Sequence, residues 1–129
     1  DENKSAVFRK RTADEILESG YVTGCTDEGL VMVSIARAAH MPAKYIETIN
    51  RDWLQNGGEQ VQGHVYAGMW DSTQWRIVDP SRKTVDADIN ADGRVIYGES
   101  LDSWSLGITD FPSLKEKFSA FRERVAHAL

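Results

Sequence analysis

Cys25, His64 and Asp79 are the residue types, in a usable order along the chain, for acyl chemistry driven by a thiol. Cys25 is the only cysteine among 129 residues. A thiol attacks as its thiolate, and an ordinary cysteine with a pKa near ~8.5 is mostly protonated at neutral pH. Cys25 opens a long apolar run, "CTDEGLVMVSIARAA", so it falls at a helix N-terminus, where unsatisfied amides favour negative charge. Asp27 and Glu28 share that first turn and oppose the effect. The thiol therefore needs a histidine to take its proton and a third group to fix the imidazole.

The chain has three histidines, His40, His64 and His127. His40 ends the helix that Cys25 begins, about 22 Å away at 1.5 Å per residue, and cannot reach the thiol. His127 falls in the last turn of a C-terminal helix, where a polar or positive group suits the dipole. His64 lies in "GHVYAGMW", one strand away from "WRIVDP", which carries Asp79. If Trp70 pairs with Trp75 across the turn "DSTQ", Tyr66 faces Asp79 and His64 faces Ser81. His64, Tyr66 and Asp79 then share one face of the sheet, with His64 and Asp79 as diagonal neighbours. A slip of one residue would separate them.

Singly, each residue has a plainer reading. A cysteine at a helix start commonly packs as a small buried side chain. A strand histidine is commonly structural, and an aspartate before proline commonly ends a strand. The three on convergent elements make the catalytic reading worth testing.

The positioning elements follow from local pattern. "TADEILESG" carries a capping box from Thr12 to Glu15 and a terminal Gly20, giving a helix over 13–19. The second helix runs from Cys25 to about Ala39; it is apolar around most of its circumference, and Pro42 stops it. Strands are expected at "KYIETI", "GHVYAGMW" and "WRIVDP", with "QNGGEQVQG" as a polar loop between the first two. "PSLKEKFSAFRERVAHAL" aligns Leu114, Phe118, Phe121, Val125 and Ala128 on one stripe of an amphipathic helix. Helices with an antiparallel sheet define a single α+β domain over 1–129.

"DINADGRVIYGE" fits the calcium-loop pattern D-x-N-x-D-G-x5-E. In that reading Asp88, Asn90 and Asp92 give oxygens, Gly93 the turn, Arg94 a carbonyl and Glu99 a bidentate carboxylate. The flanks lack helical stripes, so the alternative is a hairpin of "TVDADI" and "RVIYGE" across "NADG". Any calcium there would be structural. Trp104, in a glycine-flanked loop, reads as a cover over the core or as a wall of a substrate cleft.

A net charge of −5 argues against nucleic acid, whose phosphates need surplus Lys and Arg. No apolar run reaches the roughly 20 residues of a membrane span, and the charged start "DENKSAVFRK" is not a signal peptide. One cysteine forms no internal disulfide and leaves the compartment unread.

"GCTDEGLVMVSIARAAHMPAKYIET" and "GHVYAGMWDSTQWRIVDPS" together resemble the transglutaminase-like superfamily of papain-like thiol enzymes. The resemblance covers residues 24–81 and rests on several motifs. The first segment holds a glycine, a cysteine, a buried helix and a Pro turn into a strand. The second holds a histidine, an aromatic two residues on, a Trp and an Asp-Pro. His40 stands where the family often has glycine. The resemblance implies a helix packed on an antiparallel sheet, Cys25 as nucleophile, His64 as base and acid, and Asp79 as orienting carboxylate. Its chemistry requires no cofactor and acts on a protein or peptide amide, with hydrolysis expected over cross-linking at this chain length. Tyr21, Tyr66 and Trp104 are candidates for substrate or oxyanion contacts, beside the Cys25 amide. Two other expectations stand beside it: a catalytically silent protein-binding domain of the same fold and, more distantly, arylamine acetyl transfer.

Overall fold

The structure, a computed structural model, describes residues 9–59 and 61–125. Helix α1 is Ala13–Ser19, capped as its sequence signals: Thr12 and Glu15 exchange side chain-to-backbone hydrogen bonds, and Gly20 turns left-handed at φ 78°. Helix α2 is Cys25–Ala38. His40 adopts φ 65° where that helix ends, a conformation glycine takes at less cost. Strand β1 (Ala43–Asn50) leads into a short helix, α3 (Arg51–Asn56), which the sequence patterns did not signal. Strands β2 (Gly63–Trp70) and β3 (Trp75–Asp79) follow, then β4 (Thr84–Val85), β5 (Arg94–Ser100), a 3-10 turn at Trp104–Leu106, and helix α4 (Phe111–Val125).

The five strands form one antiparallel sheet in the order β4-β3-β2-β1-β5. Trp70 pairs with Trp75, and their rings meet edge to face at 5.6 Å. Asp71 ties the connecting turn, accepting from the backbone amides of Thr73 and Gln74 and from the Arg76 guanidinium. The register that brings His64 near Asp79 is therefore fixed locally, by one carboxylate and one aromatic pair.

β4 and β5 lie on opposite edges of the sheet, which corrects the hairpin expected from "NADG". Asp-Gly is a local turn signal and does bend the chain, with Gly93 at φ 73°. The two flanking segments find better partners elsewhere, β3 for one and β1 for the other. The chain between them crosses the sheet face that carries Tyr66, and the Tyr66 hydroxyl donates to Asp92 at 2.6 Å.

The opposite face carries the helices. Leu30, Val33 and Ala36 of α2 pack with Tyr45, Val65 and Ala67, and Ile16 of α1 closes the cluster. A second cluster gathers Ile49, Trp53, Leu54, Val61 and Ile108 around Leu114 and Phe118 of α4. Phe121 and Val125 pack against it as the stripe implies, while His127 and Ala128 lie outside the described residues.

Gly29 sets how closely α2 approaches the sheet. A Cβ built there would meet a Val65 methyl at 2.6 Å. Gly29→Ala gains about 1 kcal/mol of helix propensity but forces overpacking that costs about 1–3 kcal/mol. Val65 is fully buried and β-branched, with nowhere to turn. At the upper end of that range we expect a net loss of about 2 kcal/mol in urea unfolding; an unchanged midpoint would mean that helix and sheet separate freely.

Candidate active site

His64 and Asp79 meet. The imidazole Nε2 lies 2.9 Å from Asp79 Oδ2, and the carboxylate is fully buried. The Arg82 backbone amide donates to the other oxygen of Asp79 at 3.3 Å, and the Arg82 guanidinium lies 3.6 Å from Oδ2. Arg82 also approaches Asp92 at 3.6 Å. Asp92 accepts from Tyr66, whose ring stands perpendicular to the imidazole at 5.0 Å. His64, Asp79, Arg82, Asp92 and Tyr66 thus close a ring of contacts that touches the imidazole through Asp79 and Tyr66. Nε2 is engaged by Asp79, so proton exchange with a thiol has to pass through Nδ1.

Cys25 stands at the first position of α2, half-buried and packed against the first cluster. Its sulfur is within hydrogen-bonding influence of the Val65 backbone amide. The neighbouring carbonyl, of His64, accepts from Thr48 on β1. A trans peptide directs these two groups to opposite edges of the strand, so the Val65 amide faces the β3 side. β3 has ended by that point, because its last residue, Asp79, stands level with Tyr66. The strand edge that the Val65 amide presents is therefore open, one residue from His64.

Burial pushes the Cys25 thiol above its usual pKa, and the nearby Glu47 carboxylate adds to that. The Arg9 guanidinium, the Val65 amide and the Thr26 hydroxyl act in the other direction. Glu47 is itself fully buried on β1, paired to Arg9 at 2.8 Å and accepting from the Tyr45 hydroxyl at 3.3 Å. Burial raises its pKa, and Arg9 opposes the rise. A sequence signal for Glu47 exists: it is the one charged residue on the strand face shared by Ala43, Tyr45 and Ile49. Arg9 and Arg82 carry no such signal.

Asp27 does not leave an open charge beside the thiol. Its carboxylate is buried, pairs with Arg11 at 2.7 Å, and accepts from the amide and hydroxyl of Thr23 at 2.8 Å each. Tyr21, the candidate second oxyanion donor, has its ring under the Arg11 guanidinium at 4.3 Å and its carbonyl bonded to the same group. Trp104 packs with the first cluster and lines a depression with Leu30, Val33 and Arg37, as a cover over the core.

The calcium-type string is not gathered into a site. Asn90 bonds to Arg51, Asp92 to Tyr66, and Glu99 sits within β5, 3.3 Å from Lys44. Asp88 holds the local turn through the Ala91 amide, and the Arg94 carbonyl accepts from Arg51. Among the described residues no group of three or more His, Cys, Asp or Glu side chains could hold a metal ion. The side chains present do not fit the ion. No helix among the described residues is long and apolar enough to cross a membrane.

The chain belongs to the transglutaminase-like superfamily, whose family profile matches residues 2–80. That match takes in α2, β1, β2 and β3, and with them Cys25, His64 and Asp79. No curated protein and no solved structure matches the chain in the same comparisons.

Proposed function

We propose that the protein is a cysteine-dependent acyl-transfer enzyme acting on a carboxamide or peptide bond of a protein or peptide. The Cys25 sulfur attacks the carbonyl carbon while the thiol proton passes to His64. The oxyanion that forms faces the amides at the start of α2, that of Cys25 among them. The C–N bond then breaks, the leaving amine takes the proton from His64, and an acyl-thioester remains on Cys25. Water or an amine attacks the thioester, gives its proton to His64, and releases the acyl group with the thiol restored. Asp79 orients the ring and stabilises the imidazolium.

The observation that carries this reading is the 2.9 Å contact between His64 and buried Asp79, one residue from the Val65 amide that favours the Cys25 thiolate. One observation favours a second reading. Burial pushes the thiol up, so without proton transfer to His64 the domain would be a catalytically silent binding module. The two separate by mass. With a glutamine-containing peptide thioester or ester as donor, the enzyme gains the acyl mass on Cys25, and Cys25→Ser gains none as a thioester. Added alkylamine then reads the acceptor from the ratio of amide to free acid. Absence of an acyl-thioester across a varied set of activated donors would favour the silent module.

A further inference from the structure

Along the helix that Cys25 begins runs an apolar groove to which the chemistry above assigns no role. It has a volume of about 540 Å³. One wall is the stripe of α2 that Cys25 itself begins: Glu28, Met32, Ile35 and Ala39 follow it at helical spacing. Met69 on β2 and Pro80, directly after Asp79, stand opposite, and Val22, just ahead of Cys25, lines the same end. All three methionines of the chain, Met32, Met41 and Met69, line it. Val22, Ile35 and Met41 remain 41%, 55% and 40% exposed.

From these observations we infer that the groove binds an extended apolar stretch of the polypeptide substrate and delivers its amide to Cys25. The inference rests on the acyl-transfer reading for what happens at the thiol, and on the groove itself for what binds. Three features select this occupant. The groove is lined by chain neighbours of the candidate site: Pro80 directly follows Asp79, and Val22 and Glu28 are each three residues from Cys25. From Glu28 to Ala39 the helix rises about 16 Å, the length of about five residues of extended chain. Methionine side chains are flexible and polarizable, so they fit apolar side chains of differing shape, as a site serving more than one sequence needs. Specificity then lies in the apolar character of the flanking residues, with the reacting carboxamide held at the polar end.

Binding is measured on full-length Cys25→Ser, by fluorescence anisotropy, so that turnover does not intrude. The probes are two fluorescein-labelled hexapeptides with a central glutamine, one of leucine, valine and alanine, the other of serine and glycine. The apolar peptide is expected to bind at least tenfold more tightly. Ile35→Gln with Met41→Gln, both at half-exposed positions, is expected to remove that preference. Equal binding of the two peptides, or a preference unchanged in the double variant, overturns the inference. The peptide comparison decides alone if the double variant does not fold. Two other occupants would also overturn it: a second copy, seen as a dimer in sedimentation that the double variant dissociates, and lipid, seen as binding to phosphatidylcholine vesicles without peptide preference. The thiol chemistry is judged separately, from iodoacetamide labelling of the parent. Slow labelling with retained peptide preference sinks the enzyme and leaves the groove; fast labelling with no preference does the reverse.

Discussion

On the acyl-transfer reading, His64→Ala is expected to move the pH midpoint of Cys25 alkylation from well below ~8.5 to above it, and to slow labelling at pH 7 by about 30-fold or more. The magnitude follows from the thiolate fraction. An ordinary thiol with a pKa of ~8.5 is only about 3% ionised at pH 7. Cys25 starts from a worse position, because burial and Glu47 push its pKa up. A raised thiol pKa means less thiolate at any given pH, so the environment without the imidazole suppresses reactivity. Arg9 and the Val65 amide recover part of that loss, but the net direction remains upward. Only an imidazole that accepts the proton, with Asp79 behind it, produces a neutral-pH thiolate. The labelling rate with iodoacetamide, read by intact mass from pH 5 to 10, measures this directly. Matching curves for parent and variant, both with midpoints at or above 8.5, would leave the His64–Asp79 pair a structural contact.

Arg11→Met is expected to destabilise the fold by about 3–5 kcal/mol, a large share of the 5–15 kcal/mol typical of a domain. Arg11 and Asp27 are 7% and 0% exposed. Removing the guanidinium leaves a carboxylate buried in the first turn of α2 with only Thr23 to satisfy it. It also takes one hydrogen bond each from the Tyr21 carbonyl and the Ser19 hydroxyl, both bonded by Arg11 ahead of the helix. Asp27→Asn in the same chain should recover part of the loss, because the stranded charge is then gone. Urea unfolding of the two single variants and the double variant closes the cycle. A cost below 1 kcal/mol for Arg11→Met would show that the carboxylate reaches water and that the pair is not what anchors the helix start.

The elements that carry the site were readable because their signals are local. Thr12 and Glu15 lie within one turn, and Gly20 closes the same helix. Trp70, Asp71 and Trp75 lie within six residues and set the β2–β3 register, so the meeting of His64 with Asp79 follows from alternation once Trp70 is paired with Trp75. The same locality misled at 84–99. Asp-Gly correctly marked a bend, but the partners of the flanking strands are on opposite edges of the sheet, and no spacing within that segment encodes them. The D-x-N-x-D-G pattern likewise gave correct turn residues and wrong destinations for their side chains, which go to Arg51, Tyr66 and Arg82.

By itself, then, the sequence determined the family, the helix that presents the thiol, and the strand pair that joins imidazole to carboxylate. Each depends on residues a few positions apart, whose backbone periodicity decides which way they face. Tertiary structure alone decided the electrostatics of the thiol. Glu47 is 22 residues from Cys25 and 38 from its partner Arg9, and the pair exerts its effect only because packing removes both from water. The groove was equally hidden, since it exists only where a helix stripe, a strand methionine and the proline after Asp79 are brought side by side.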